Sequence, residues 1–201
     1  MTAKEPKEQR VDDVIRAAVA EFVEKGFEGA SVESIAKRAK LTKGGLYHHF
    51  KSKDEILLAA NDQFMDPIRR MAEKAEAAAS PAAGLGAFFL AYLEHWRERP
   101  RELAVVALTL AKAVQDSSWW PMMATYSREM TGFYRRLLEK AAAAGEIAAG
   151  DAEAQATAIL GAVDGLAAYV LMDDTLTPEE AAARLSRAFL CPRTAPRKKA
   201  G

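Results

Sequence analysis

The chain reads as an all-α protein: an N-terminal three-helix helix-turn-helix head followed by a larger helical body, about nine helices in all. Three observations predict this class. Half of the 201 residues are hydrophobic, alanine is abundant and valine and isoleucine are sparse, a balance that favours helix over sheet. Apolar residues recur every three or four positions, and no stretch shows strand-like alternation. Capping residues, glycines and prolines punctuate the chain between these periodic segments.

The elements follow in order. Val11, Val14, Ile15, Ala18, Phe22 and Val23 share one helical face and predict a first helix over about 7–25. Gly26 suits a left-handed stop, with Phe27 packing back on Phe22. Ser31 caps a second helix whose inner face is Val32, Ile35, Ala36 and Ala39. After the turn Lys40-Leu41, Thr42 caps a short third helix over about 43–50, with Leu46 and Phe50 inward. Ser52 and Glu55 form a capping box for a fourth helix lined by Ile56, Leu57, Ala60, Phe64, Ile68 and Met71. Pro67 interrupts its hydrogen-bond ladder and predicts a kink. A fifth helix opens at Ser80-Pro81 and ends before Pro100, and a sixth spans about 101–115. A seventh starts near Ser118 and ends at Gly145; an eighth runs from Asp151 to about Asp173. Thr177-Pro178-Glu179-Glu180 starts a ninth, which Cys191-Pro192 stops. The expected division is 7–53 for the head, 54–191 for the body and 192–201 for a disordered tail.

Formal net charge is zero, which excludes a simple polycation, but the charge is uneven. Residues 1–53 carry 11 Lys/Arg against 8 Asp/Glu, and residues 54–201 carry 17 against 20. Within 34–53 there are six bases (Lys37, Arg38, Lys40, Lys43, Lys51, Lys53) and no acid. A local basic patch on a neutral chain points to one anionic partner at one place. The single cysteine, Cys191, allows no internal disulfide and fits a reducing compartment. The charged N-terminus lacks an apolar signal core, and the longest uncharged run, 77–93, holds Ser80-Pro81 and two glycines rather than a membrane span. A cytoplasmic protein that does not enter a membrane is expected.

Three short helices with a tight turn between the second and third make a helix-turn-helix, whose third helix enters the major groove of DNA. That geometry accounts for LTKGGLYHHFKSK, residues 41–53. Gly44 and Gly45 let the helix backbone approach the duplex. The exposed N–H groups at the start of this third helix favour a phosphate, and Ser31, at the start of the second, is a further DNA-contact candidate. Thr42 and Tyr47 hydroxyls and the Lys51 and Lys53 ammoniums are phosphate donors, while Lys43 and His48 face the bases. The bland alternative for each is a solvated surface residue. His48 and His49 do not form a metal site: adjacent helical residues diverge by about 100°, and the chain has only one further histidine, His95.

Residues 8–56 resemble the N-terminal domain of TetR-type transcriptional regulators. The resemblance rests on Phe22 with Gly26-Phe27, on Ser31-Val32-Glu33-Ser34-Ile35-Ala36, on Leu41 through Phe50, and on Lys51-Ser52-Lys53-Asp54-Glu55-Ile56-Leu57. It implies a homodimer whose heads bind a double-stranded DNA operator and whose bodies sense a ligand and dimerise. Lys40 departs from the family pattern, which usually has glycine there. The match fades after about residue 60.

In the body, Phe88, Phe89, Tyr92 and Trp96 repeat along the fifth helix, and Leu103, Val106, Leu110 and Val114 along the sixth. Trp119, Trp120, Met122, Met123, Tyr126 and Phe133 gather on the seventh. Plain core explains any one of them. Together they suit an apolar cavity with adaptable walls, with Phe89, Tyr92, Trp96, Leu110, Trp119, Trp120, Met123 and Tyr126 as lining candidates. Gly161, Gly165 and Ala168 give the eighth helix a small face, and Leu185 and Phe189 extend it on the ninth, either for a dimer interface or for packing within the chain. Asp164, amid that apolar stretch, needs a partner. The function expected is a ligand-responsive regulator: a repressor released from a palindromic operator by a small apolar or aromatic effector. An activator or an effector-free regulator of the same fold is the alternative. No catalytic set, metal spacing or cofactor motif appears, which disfavours an enzyme.

Overall fold

The structure, a computed structural model, describes Pro6 to Cys191, with side chains from Gln9 onward. The tail expected to be disordered, 192–201, lies outside the described residues. Among the described residues there are nine α-helices and no strand. They are α1 (Pro6–Gly29), α2 (Val32–Arg38), α3 (Lys43–Tyr47), α4 (Lys53–Glu76), α5 (Pro81–Glu98), α6 (Pro100–Gln115), α7 (Trp120–Ala143), α8 (Ala152–Met172) and α9 (Pro178–Phe189), with a 3-10 turn at Ser117–Trp119.

The helices gather into two compact units. The first contains the chain up to Asp66 together with Arg99–Trp120; the second contains Pro67–Glu98 and the chain from Pro121. Two departures from the expected division follow. The break falls inside α4, at Pro67, and α6 groups with the head rather than with the body.

In the first unit, Val14, Ala18, Phe22, Ile35, Leu46, Ile56 and Leu57 are buried, so the faces read from helical spacing do meet. Gly26 has φ +71°, and α1 kinks there. The chain turns back so that Phe27 lies 5.3 Å from Phe22 between ring centroids. The sixth helix sits in a different register from the one its larger side chains suggested. Its buried stripe is Val105, Thr109 and Ala113, while Leu110 is 53% and Val114 77% exposed. Polar pairing sets this register: Asn61 Nδ2 donates to Thr109 Oγ1 at 2.6 Å, and both groups are buried. The same amide donates to Leu57 O at 2.8 Å and Thr109 Oγ1 donates to Val105 O at 3.0 Å, so the buried polar groups that join α4 to α6 are all paired in this register. Lys112 strengthens the same junction. Its ammonium is 3.1 Å from Asp54 and lies over the rings of Phe27, at 4.3 Å, and Trp119, at 5.4 Å.

In the second unit, α5 packs against α8 and α9. Phe88, Phe89, Tyr92, Leu93 and Trp96 are all buried there. Glu146 closes the start of α5 by accepting from Ser80 Oγ and from the Ala82 N–H at 3.0 and 2.8 Å.

Candidate DNA-binding interface and interior polar site

The turn between α2 and α3 is built from backbone bonds. Leu41 N–H donates to Ala36 O at 2.9 Å and Lys40 N–H to Lys37 O at 3.2 Å, the paired closure that ends a helix in a left-handed residue. That residue is Lys40, at φ +57°. A side chain in this conformation costs about 1 kcal/mol. The turn thus keeps its left-handed geometry despite the lysine.

Thr42 then starts α3, accepting the Gly45 N–H on Oγ1 at 3.0 Å. A Cβ on Gly45 would come within 3.2 Å of that hydroxyl, so glycine here protects the cap. Gly44 has no such internal reason: an added Cβ would meet nothing within 4 Å. Ser31 caps α2 in a two-way box with Ser34. The third helix is shorter than expected, ending at Tyr47, with His48 as its C-cap. Thr42, Lys43, Gly44, Tyr47, His48 and Lys51 are all exposed, and Tyr47 shows 45% of its surface. Leu46 and Phe50 hold the helix from beneath.

The six bases of 34–53 divide. Arg38 makes a two-pronged bond to Glu24, at 2.8 and 2.5 Å, and its Nε is 2.9 Å from buried Glu21. Lys25 also bonds Glu21, at 2.7 Å; that bond is the main reason the Glu21 carboxyl titrates below its ordinary range. Lys43 pairs with Glu33, and that bond lowers the Glu33 carboxyl and raises the Lys43 ammonium. Lys53 departs most from its expected role. Its ammonium, half-buried, donates to Phe27 O and, at 2.9 Å, to Ala30 O, and lies 4.4 Å from the Phe27 ring centre. It ties the end of α1 to the start of α4. Lys37, Lys40 and Lys51 have no ion-pair partner among the described residues. Acids from outside the stretch therefore relieve part of the charge that the sequence left unbalanced.

The eight lining candidates divide as well. Leu110, Trp119 and Trp120 belong to the first unit; Phe89, Tyr92, Trp96, Met123 and Tyr126 belong to the second. Trp120 is 61% exposed and donates Nε1–H to Ala113 O at 2.8 Å. Within the second unit the structure brings together a group that apolar spacing alone did not assemble. Asp164 Oδ1 accepts from Tyr92 OH at 2.7 Å and Tyr126 OH at 3.2 Å. Burial pushes the Tyr92, Tyr126 and Tyr134 phenols up, and pushes the Asp164 carboxyl up as well. The signal available in sequence was Asp164, the one acid in the apolar stretch 154–172 of α8.

The small face of α8 is open. Gly161 and Gly165 are exposed, an added Cβ on either meets nothing within 4 Å, and Tyr169 and Met172 stand exposed further along. Ala168 is half-buried, and so is Phe189 on α9. Leu185, expected beside them, is instead 2% exposed within its own chain. Its position on the α9 stripe with Ala181 and Ala182 turns it inward. By length and composition α8 is apolar enough to cross a membrane, and little of it is buried within the chain.

Comparison with known proteins agrees with this geometry. Residues 14–60 match the family of bacterial regulatory proteins of the tetR type, and residues 81–190 match the C-terminal region of BetI-type transcriptional repressors. The chain is 28% identical over 145 residues to the transcriptional repressor KstR2 of Mycolicibacterium smegmatis, covering 72% of this chain and 70% of that protein. Its fold is that of the regulator FadR from Bacillus subtilis in complex with stearoyl-CoA (TM-score 0.77, 20% identity, 91% of this chain and 99% of that one). It is also that of AibR in complex with isovaleryl coenzyme A and operator DNA (TM-score 0.74, 22% identity, 92% and 100%). With its capped, exposed third helix and its all-helical body, the chain belongs to the TetR family of bacterial regulatory proteins.

Proposed function

We propose that the protein is a homodimeric, ligand-responsive repressor that acts on DNA in the cytoplasm and catalyses no reaction. The observation that carries the DNA-binding surface is Gly44, exposed at the start of α3 with no internal need for glycine, between the Thr42 hydroxyl and Tyr47. Close approach of an outside backbone explains it. Ser31, Thr42, Tyr47 and Lys51 supply phosphate contacts, and Lys43 and His48 supply base contacts. Lys53 contributes mainly by holding the head together. Two α3 helices of a dimer fit successive major grooves about 34–36 Å apart.

The dimer forms through the open stripe of α8, with Gly161, Gly165 and Ala168 allowing close approach, and with Phe189 at its margin. Pairing two such stripes is a commoner fate for this helix than a membrane, because Asp164 lies in its middle. A small, mostly apolar effector enters the second unit near Tyr92, Trp96, Met123 and Tyr126. The acyl-CoA complexes of AibR and FadR are precedents for effector binding in this fold. A coupling of about 1–3 kcal/mol changes operator affinity about 5- to 150-fold.

Fluorescence anisotropy on DNA from upstream of the gene, against scrambled DNA across a salt series, tests the reading. Selective binding with a steep salt slope is expected. Equal weak binding to both would refute site-specific repression at that promoter. Activation in a promoter-fusion assay would reverse the sign of regulation.

A further inference from the structure

Asp164 is a carboxylate in an aromatic interior with no cationic partner among the described residues. Its Oδ1 takes both the Tyr92 and the Tyr126 hydroxyls. Around it the second unit is aromatic. Tyr92 lies 6.0 Å from Trp96 and 5.8 Å from Phe88, and Phe88 lies 5.8 Å from Tyr134. Two polar atoms of this cluster are buried and unused: the Tyr134 hydroxyl, on a side chain 0% exposed, and the Trp96 indole nitrogen, on one 1% exposed. Asp164 and Tyr126 are only half-buried, which marks the open side of the cluster.

Each feature has an ordinary cost. A half-buried carboxylate with no cation beside it is partly desolvated without compensation, and hydrogen bonds from neutral phenols offset only part of that. The unmade hydrogen bonds of Tyr134 and Trp96 add to that cost. A chain that needed only a packed core would do better with an apolar residue at 164. The cluster is therefore suited to an outside group that is positive, donates hydrogen bonds and tolerates aromatic faces. A protonated amine meets all three requirements, through an ion pair with Asp164 and the negative faces of the rings.

We propose that the effector of this regulator carries a protonated amine, bound at Asp164 among Tyr92, Tyr126, Tyr134 and Trp96. The inference rests on the ligand-responsive reading above and narrows its apolar effector to a cationic amphiphile. An acid or a neutral lipid in the same place would leave Asp164 unpaired or repelled.

The test uses three probes with one tail and different heads: n-hexylamine, n-hexanol and hexanoate. Each is titrated into the full chain at neutral pH and constant ionic strength, without DNA, following tryptophan fluorescence and thermal stabilisation. Hexylamine should bind at least about tenfold more tightly than hexanol, with hexanoate weakest. Asp164→Asn should remove that preference, bringing hexylamine down to the level of hexanol. Hexanol or hexanoate binding as well as hexylamine would overturn the proposal, as would a preference that survives Asp164→Asn. If Asp164→Asn fails to fold, the ranking of the three probes on the native chain decides alone. The two readings fail separately. A neutral compound that releases operator DNA, beside a flat probe ranking, sinks the amine and keeps the ligand-responsive repressor. An amine preference without any operator release does the reverse.

Discussion

Lys53 offers a clean contest between a sequence-based role and a structural one. By motif it is a phosphate donor; in the structure its ammonium holds Phe27 O and Ala30 O and lies over the Phe27 ring. Substituting Lys53→Met keeps the apolar stem and removes the charge and its donors. Two hydrogen bonds from a charged, half-buried donor contribute about 1 kcal/mol each after solvent screening, and the cation–π contact about 0.5–1. The expected loss is about 2–3 kcal/mol, and at about 2–4 °C per kcal/mol for a chain of this size the melting temperature falls by about 4–12 °C. Thermal unfolding followed by far-ultraviolet circular dichroism measures it. Operator binding, measured well below the transition, should keep its salt slope. Loss of a phosphate contact would instead reduce that slope by about one unit in each half-site. An unchanged melting temperature with a flatter slope would refute the structural role.

Four further outcomes are expected. Lys40→Gly relieves the left-handed strain and should raise stability by about 1 kcal/mol, or about 2–4 °C; a lower melting temperature would mean that the turn relaxes around lysine at no cost. Tyr47→Phe should weaken binding to all operator variants alike by about fivefold, whereas Lys43→Ala should shift sequence preference, and a selection from randomised half-sites separates the two. Gly165→Leu places bulk where its own chain has none, so helicity should persist while sedimentation shows dissociation to monomers. Asp164 titrates above its unfolded value, so its neutral form is favoured on folding; that stability is present at acid pH and is lost as pH rises through the folded pKa. Asp164→Asn should therefore be more stable than the native chain at neutral pH in the absence of effector, and urea titrations at acid and neutral pH check the sign.

The head was legible in the sequence because its signals are local. A cap, a turn and an apolar face each need only a few neighbouring residues, and Ser31, Thr42, Gly26 and Leu46 all stand where spacing put them. The intrachain contacts of Lys53 were not legible because its partners are carbonyls more than twenty residues away, and a carbonyl carries no sequence signature. The face of α6 was misread for a related reason. Larger side chains pointed to Leu110 and Val114, but the deciding group is Asn61, distant in sequence. In the second unit the spacing found the aromatics of α5 and named Asp164 as an acid in need of a partner. The partners, Tyr92 and Tyr126, lie on two other helices, and their convergence needed the fold.

The make-up of the first unit bears on how this regulator can be rebuilt. The DNA-reading part is not a contiguous cassette. Cutting after α4 would strip α6 from the head, leaving Asn61 without Thr109 and Phe27 and Asp54 without Lys112. A chimaera that grafts a foreign head onto this body would have to carry residues 99–120 as well, in two separate splices. By the same token, substitutions in α6 are bound to drift with those in α1 and α4, although dozens of residues separate them along the chain.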